Sequence, residues 1–235
     1  PQWTTANHVR LDLATMELRD FSTAGDGTAT LICAPFALHG ATLADFAAGH
    51  SLVQTLARHG CNRLFVTDWR SATDDMRLLT IDSYLAELNV AVDEIGAPVD
   101  LVGLCQGGVM ALIYAVRFPA KVRKLVLAGA PIDIDAAPSL LSITARNLPL
   151  GAFEEVTRLG EGRTQGQRVI DLWRPALSAA DAVAALQTEP SEGAEQAALL
   201  ERFRTWFDWT VNLPGAFYHQ TVLWLFKENR LAEGR

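Results

Sequence analysis

Four short apolar runs, separated by segments with helical spacing, set the tightest limit on what this chain can fold into. The runs are residues 29–34, 63–67, 99–103 and 124–128. Between them, Leu52, Val53 and Leu56 mark one helix within residues 49–59. Tyr84, Leu85, Leu88, Ala91, Val92 and Ile95 mark a second within residues 81–95, and residues 107–118 supply a third. Gly60 closes the first helix, and Gly96 with Pro98 closes the second. Strands and helices alternating at this pitch predict a mostly parallel, doubly wound α/β sheet with helices on both faces. The nearly continuous apolar character of the runs fits strands buried on both sides. Two alternating segments, residues 9–13 and 16–21, come first and are expected as half-buried antiparallel strands.

After Pro131 the rhythm stops. Residues 133–213 read as helices and loops without a convincing strand, broken by the polar bends Gly160-Glu161-Gly162 and Glu189-Pro190-Ser191. An insertion of this size beyond the carboxyl edge of a sheet is expected to cap a site. The division expected is a core over residues 1–132, a helical cap over 133–213, and a helix returning to the core over 214–235.

Composition narrows the function classes. The 235 residues are 49% hydrophobic and 20% charged, as in soluble globular proteins. A net charge of -7 argues against a nucleic-acid-binding face, which needs a basic surface. No apolar run approaches the roughly 20 residues of a transmembrane helix. Cys33, Cys61 and Cys105 are odd in number and show no metal-type pairing, so no metal is expected and a reduced, cytoplasmic setting is. The chain opens at Pro1 with no signal-peptide pattern, which reads as an already trimmed start.

Chemistry concentrates in Gly103-Leu104-Cys105-Gln106-Gly107-Gly108, between the third apolar run and the third helix. This has the form of the nucleophile elbow G-x-S-x-G, with cysteine in place of serine. A turn this sharp strains the nucleophile's backbone, and glycines at 103, 107 and 108 avoid collisions around it. The helix start directs amides at Cys105, which favours thiolate, and the Gln106 N–H can donate to an oxyanion. The plainer reading of Cys105 is a buried cysteine in a glycine-containing turn; its place on the third parallel strand favours the nucleophile. The loop after residue 34 should give the second oxyanion donor, for which the Ala37 N–H is chosen. His39 there either lines a substrate pocket or bonds loop backbone, and both readings stand. Asp68 and Trp69 lie at a carboxyl strand end where ligands gather, although a structural brace is the stronger reading for Asp68. Cys33 and Cys61 read as core residues.

A thiol nucleophile needs a base, and this fold places it in the order nucleophile, acid, histidine. The one histidine after Cys105 is His219, at the opening of an aromatic-rich helix, where an ordinary helix position is the favoured reading. Asp133 follows the last recognisable strand, which makes Cys105–Asp133–His219 conceivable as an in-chain triad. Trp206, Trp209 and Trp224 fit either a cap packed on its core, the preferred reading, or a homodimer face.

Together these segments resemble the polyhydroxyalkanoate synthases, with intracellular polyhydroxyalkanoate depolymerases as cousins. The resemblance rests on the cysteine-bearing box, on Asp68-Trp69, Ile81-Asp82-Ser83-Tyr84 and Ala130-Pro131-Ile132-Asp133, and on Asn212-Leu213-Pro214-Gly215, Tyr218, Asn229 and Gly234. It implies an α/β-hydrolase fold and a Cys105 acyl-thioester accepting a 3-hydroxyacyl group from coenzyme A or a polyester chain. It implies no resident cofactor, coenzyme A entering as part of a substrate, and it suggests a polyester granule surface as partner. Nothing corresponds to the long N-terminal domain of the synthases, and the depolymerases have Gln-Pro where this chain has Gln-Gly-Gly. A family aspartate and histidine are expected on strands after the Asn-Leu-Pro-Gly helix, beyond Arg235, on the order of 60 further residues. The competing class is a catalytically inactive binding protein that kept the fold.

Overall fold

The computed structural model describes residues 2–173 and 194–235; the bend expected at Glu189-Pro190-Ser191 lies outside the described residues. In chain order the first strands are β1 (His8–Asp12), β2 (Met16–Asp20), β3 (Thr30–Cys33), a short hairpin of β4 (Asp45–Ala47) and β5 (His50–Ser51), β6 (Leu64–Trp69), β7 (Val99–Leu104) and β8 (Val122–Ala128). The main sheet has the order β1-β2-β6-β3-β7-β8. β1 pairs antiparallel with β2, and β2 with β6, while β6, β3, β7 and β8 are parallel. The expected doubly wound, mostly parallel sheet is therefore present, with its antiparallel entry.

Period-two alternation splits the core between the two faces. Ile32, Ala34, Leu64, Val66 and Val102 pack with Val53 of α1 (Leu52–Arg58). Leu31, Cys33, Phe65, Trp69 and Leu101 face α2 (Ile81–Ile95) and α3 (Gln106–Arg117). The helical stripe of α2 lies where its spacing places it. α1 starts at Leu52, where its apolar spacing begins, and not at residue 49, because the β4–β5 hairpin occupies the preceding residues. Ser51 ends that hairpin and caps α1, its Oγ accepting from the Gln54 N–H at 2.9 Å and donating to Asp45 at 2.6 Å. The buried Asp45 carboxylate also accepts from the Thr4 and Thr5 N–H groups at 2.8 and 2.7 Å, tying the N-terminal segment to the hairpin. β6 runs on through Asp68 and Trp69 because β2 pairs with both, Glu17 opposite Asp68 and Met16 opposite Trp69.

β8 is the outermost strand. Its Val126 is 52% exposed and its Leu127 38%, so an apolar strand meets solvent at the sheet edge.

Beyond the sheet come α4 (Leu140–Asn147), α5 (Leu150–Leu159), α6 (Gly166–Trp173) and α7 (Ala194–Asp208). A two-residue strand, β9 (Arg163–Thr164), pairs antiparallel with β10 (Leu213–Pro214), which corrects the expectation of no strand in this region. The Gly160–Gly162 turn, with Gly162 at φ +94°, folds the chain back, and a two-residue pairing is too short to leave any alternation. The chain then enters α8 (Gly215–Gln220) and a π-helical stretch at Thr221–Lys227. Phe217, Tyr218 and Val222 share one apolar cluster with Phe153 and Trp173, and the Trp173 indole donates to the Tyr218 hydroxyl at 3.2 Å. Trp206 is buried, Trp209 is 49% exposed, and Arg230 lies over the half-buried Trp224 ring at 4.9 Å. Among the described residues no helix is long and apolar enough to cross a membrane, and no cluster of three or more His, Cys, Asp or Glu side chains could hold a metal ion.

Candidate active site

The turn from β7 into α3 is built by steric exclusion. Cys105 sits between them at φ +49°, ψ −125°, a conformation that strains any residue with a side chain. A Cβ on Gly107 would meet the Ala34 carbonyl oxygen at 2.5 Å and the Cys33 carbonyl oxygen closer still. One on Gly108 would meet the Ala130 Cβ at 2.5 Å, and one on Gly103 would run into Gly108 and into the Ala111 Cβ at 2.9 Å. The glycines thus let α3 press against β3 and β7; they relieve the helix–sheet contact and not the cysteine itself. The Cys105 N–H donates to the Ala128 carbonyl at 2.8 Å, anchoring the turn to the end of β8.

The Cys105 side chain is exposed and the thiol is free. Its pKa is raised above the ordinary thiol value, because partial removal from solvent outweighs the hydrogen bond from the Gln106 N–H that lowers it. This corrects the expectation that the helix start favours thiolate: atoms crowding the elbow count for more than the amide directed at the sulfur. Cys33, fully buried beneath, is pushed up to about 12 by burial, with a hydrogen bond to Thr67 opposing. Cys61 is half-buried, after α1.

The loop after β3 is fixed from several sides. The Ala34 N–H donates to Thr67 Oγ1 at 3.0 Å, and the Trp69 indole donates to the Ala34 carbonyl at 2.8 Å. Phe36 stacks on Tyr84 at 4.8 Å between ring centroids and meets Phe217 at 5.3 Å. The Phe36 N–H donates to Gln106 Oε1 at 3.0 Å, a buried bond joining the loop to the residue after Cys105. The Val211 N–H donates to the Leu38 carbonyl at 2.7 Å, with Leu38 at φ +79°. Among the described residues the Ala37 N–H has no acceptor, and Ala37 is partly exposed. The side chain of Gln106 was not singled out in sequence; a polar residue one position after the nucleophile gives no sign of which way it turns until its partner's loop is placed.

The other candidates disperse. His39 packs between Trp206 and Phe207, at 4.6 and 4.8 Å between ring centroids, with Nδ1 buried and unpartnered. Burial lowers its pKa, opposed by a hydrogen bond with the Trp209 backbone and by Asp208. It joins the loop to α7 by this ring packing. Asp68 accepts from Arg19 Nε at 3.1 Å; burial raises its pKa and the Arg19 charge pulls the other way. That is the brace reading, although Asp68 also borders a cleft of about 470 Å3 with Trp3, Arg19 and Trp209. Trp69, 5% exposed, supports the loop from below through its indole bond to Ala34.

Asp133 accepts from Asn229 Nδ2 at 2.8 Å and from the Asp135 N–H at 2.9 Å, and these bonds hold its pKa low. His219 Nε2 is buried without a partner; desolvation lowers its pKa, with Glu154 opposing. No hydrogen bond links Asp133 to His219, or His219 to Cys105, so the conceivable triad is not assembled.

The sheet order, the elbow on β7 and the helical insertion after β8 define one class of fold. A family model described as alpha/beta hydrolase fold matches residues 37–230, and the chain belongs to that family. It is 37% identical over 106 residues to the poly(3-hydroxyalkanoate) polymerase subunit PhaC of Synechocystis sp., a stretch that is 43% of this chain and 28% of that protein. It is 32% identical over 93 residues to the same subunit of Allochromatium vinosum, covering 37% of this chain and 26% of the relative. The matched stretch is thus under a third of either relative's length. Among solved structures, a carboxylesterase from the thaumarchaeon Nitrososphaera gargenis superposes with a TM-score of 0.51 at 12% identity, over 95% of this chain and 74% of its own. That likeness concerns the fold alone.

Proposed function

We propose that the chain carries the nucleophile of a polyhydroxyalkanoate-type acyltransferase, with Cys105 forming an acyl-thioester. The single observation behind this reading is the exposed Cys105 thiol held at φ +49° on the turn from β7 into α3, with the Gln106 N–H directed at its sulfur. The similarity to poly(3-hydroxyalkanoate) polymerase subunits supports a 3-hydroxyacyl thioester as substrate class.

In this reaction Cys105 Sγ loses its proton to a base and attacks the thioester carbonyl. The oxyanion that forms accepts from the Gln106 and Ala37 N–H groups, neither of which has a backbone acceptor among the described residues. The tetrahedral intermediate collapses, the coenzyme A thiolate departs, and it takes up a proton. The acyl group remains on Cys105 until a hydroxyl oxygen attacks it; a polyester end gives chain growth, and water gives hydrolysis. A raised thiol pKa makes the base indispensable, since little thiolate forms unaided at neutral pH.

Intact-mass measurement after incubation with 3-hydroxybutyryl-coenzyme A, followed by peptide mapping, tests the proposal. One 3-hydroxybutyryl group on Cys105, absent from Cys105→Ala, is the expected result. Labelling spread equally over Cys33 and Cys61 with Cys105 unmodified would overturn it.

A further inference from the structure

A cleft of about 870 Å3 opens between α7 and the β4–β5 hairpin, away from the elbow. Neither Cys105 nor any other elbow residue lines it, and its size is that of a small-molecule site. Phe46, Leu199 and Trp206 form an apolar wall, Phe46 and Trp206 being 9% and 8% exposed and meeting edge to face at 6.5 Å between centroids. Over this wall lies one cation: the Arg202 guanidinium stands 5.8 Å from the Phe46 ring centroid. Its Nη2 donates to the Gln2 carbonyl at 2.8 Å and to Thr4 Oγ1 at 3.0 Å, both neutral acceptors. Among the described residues no carboxylate pairs with Arg202, and its Nε and Nη1 donors have no partner. Glu201, the neighbouring acid at the rim, lies 3.8 Å from Arg204 instead.

We infer that this cleft binds an amphiphile with a straight apolar chain and one anionic head group. The chain lies along Phe46, Leu199 and Trp206, and the head accepts from an unpartnered Nε or Nη1 donor of Arg202. An apolar wall beside a fixed, partly desolvated and unneutralised guanidinium matches such a molecule: a cationic head would be repelled, and a polar chain would lose its hydration against the wall. The site is independent of acyl chemistry at Cys105, so it stands or falls separately from the proposed reaction.

Isothermal titration of the whole chain bearing Cys105→Ala removes any contribution from that sulfur. Decanoate and decyl phosphate, each below its micelle concentration, distinguish a carboxylate head from a phosphate ester, and decyltrimethylammonium is the cationic control. We expect one equivalent of at least one anion to bind, with the ammonium at least about tenfold weaker. Arg202→Gln should weaken anion binding about tenfold or more, the scale of a charge-assisted hydrogen bond. Because Arg202 also holds Gln2 and Thr4, a second variant is needed, and Ala48→Trp on the exposed hairpin turn should fill the mouth and abolish binding without changing the melting temperature. No binding of either anion, equal binding of the ammonium, or affinity unchanged in both variants would overturn the inference.

Discussion

Gly107→Ala puts the physical account of the elbow at risk. The added Cβ would stand 2.5 Å from the Ala34 carbonyl oxygen, with the Cys33 carbonyl nearer still. Side chains in folded proteins do not approach within about 3 Å of such an atom, so α3 and the end of β3 must separate by about half an ångström or more. Both obstacles are backbone carbonyls at a strand end, which cannot turn aside as a flexible side chain would. Overpacking of this kind costs about 1–3 kcal/mol, and the better helix propensity of alanine returns at most about 1 kcal/mol. From the upper end of that range, the net loss is about 2 kcal/mol, or a melting temperature lower by roughly 4–8 °C in a domain of this size. Gly25→Ala is the control, because a Cβ there has nothing within 4 Å, and it should stay within about 0.5 kcal/mol. Urea unfolding followed by circular dichroism gives both values. The separation should also stretch the Phe36–Gln106 bond, so the alkylation rate of Cys105 should change in Gly107→Ala and not in Gly25→Ala. Equal unfolding midpoints for the two variants would refute the claim that helix–sheet contact dictates glycine at 107.

Three further expectations concern the same region. Because desolvation raises the Cys105 thiol pKa, its iodoacetamide reaction should still be accelerating through about pH 9; a plateau near neutrality would contradict the crowded elbow. Gln106→Leu strands the buried Phe36 N–H and should cost about 1–3 kcal/mol in urea unfolding; an unchanged midpoint would show that this bond does not hold the loop. The folded-state pKa of His39 lies below its unfolded value, so its contribution is neutral at high pH and turns destabilising as pH falls below about 6.5, where the unfolded chain takes up the proton first. His39→Phe should flatten that acid loss of stability, and an unchanged pH profile would show that His39 is not the responsible group.

Much of the scaffold was legible because it is local. The α2 stripe from Ile81 to Ile95 and the run at β7 carry their periods in consecutive residues, and the elbow announces itself through glycine spacing together with its place between a buried run and a helix. The β4–β5 hairpin was not legible. It depends on a buried Asp45 reaching back to Thr4 and Thr5, some forty residues away, and no short-range pattern reports such a bond. The β9–β10 pairing escaped for a similar reason, joining Arg163–Thr164 to Leu213–Pro214.

The site divides along the same line. That Cys105 occupies a strained turn between a buried strand and a helix follows from Gly103, Gly107 and Gly108, since only residues without side chains fit the approach. The chain's order of residues also makes the sheet mostly parallel, because each buried run is followed by a helix long enough to cross back. Tertiary structure alone decided the rest. It turned Gln106 towards Phe36, took His39 into the packing of α7, bonded Asp133 to Asn229 away from His219, and raised the Cys105 thiol by crowding. Direction and solvation of a side chain depend on neighbours distant in sequence, and those neighbours exist only once the chain has folded.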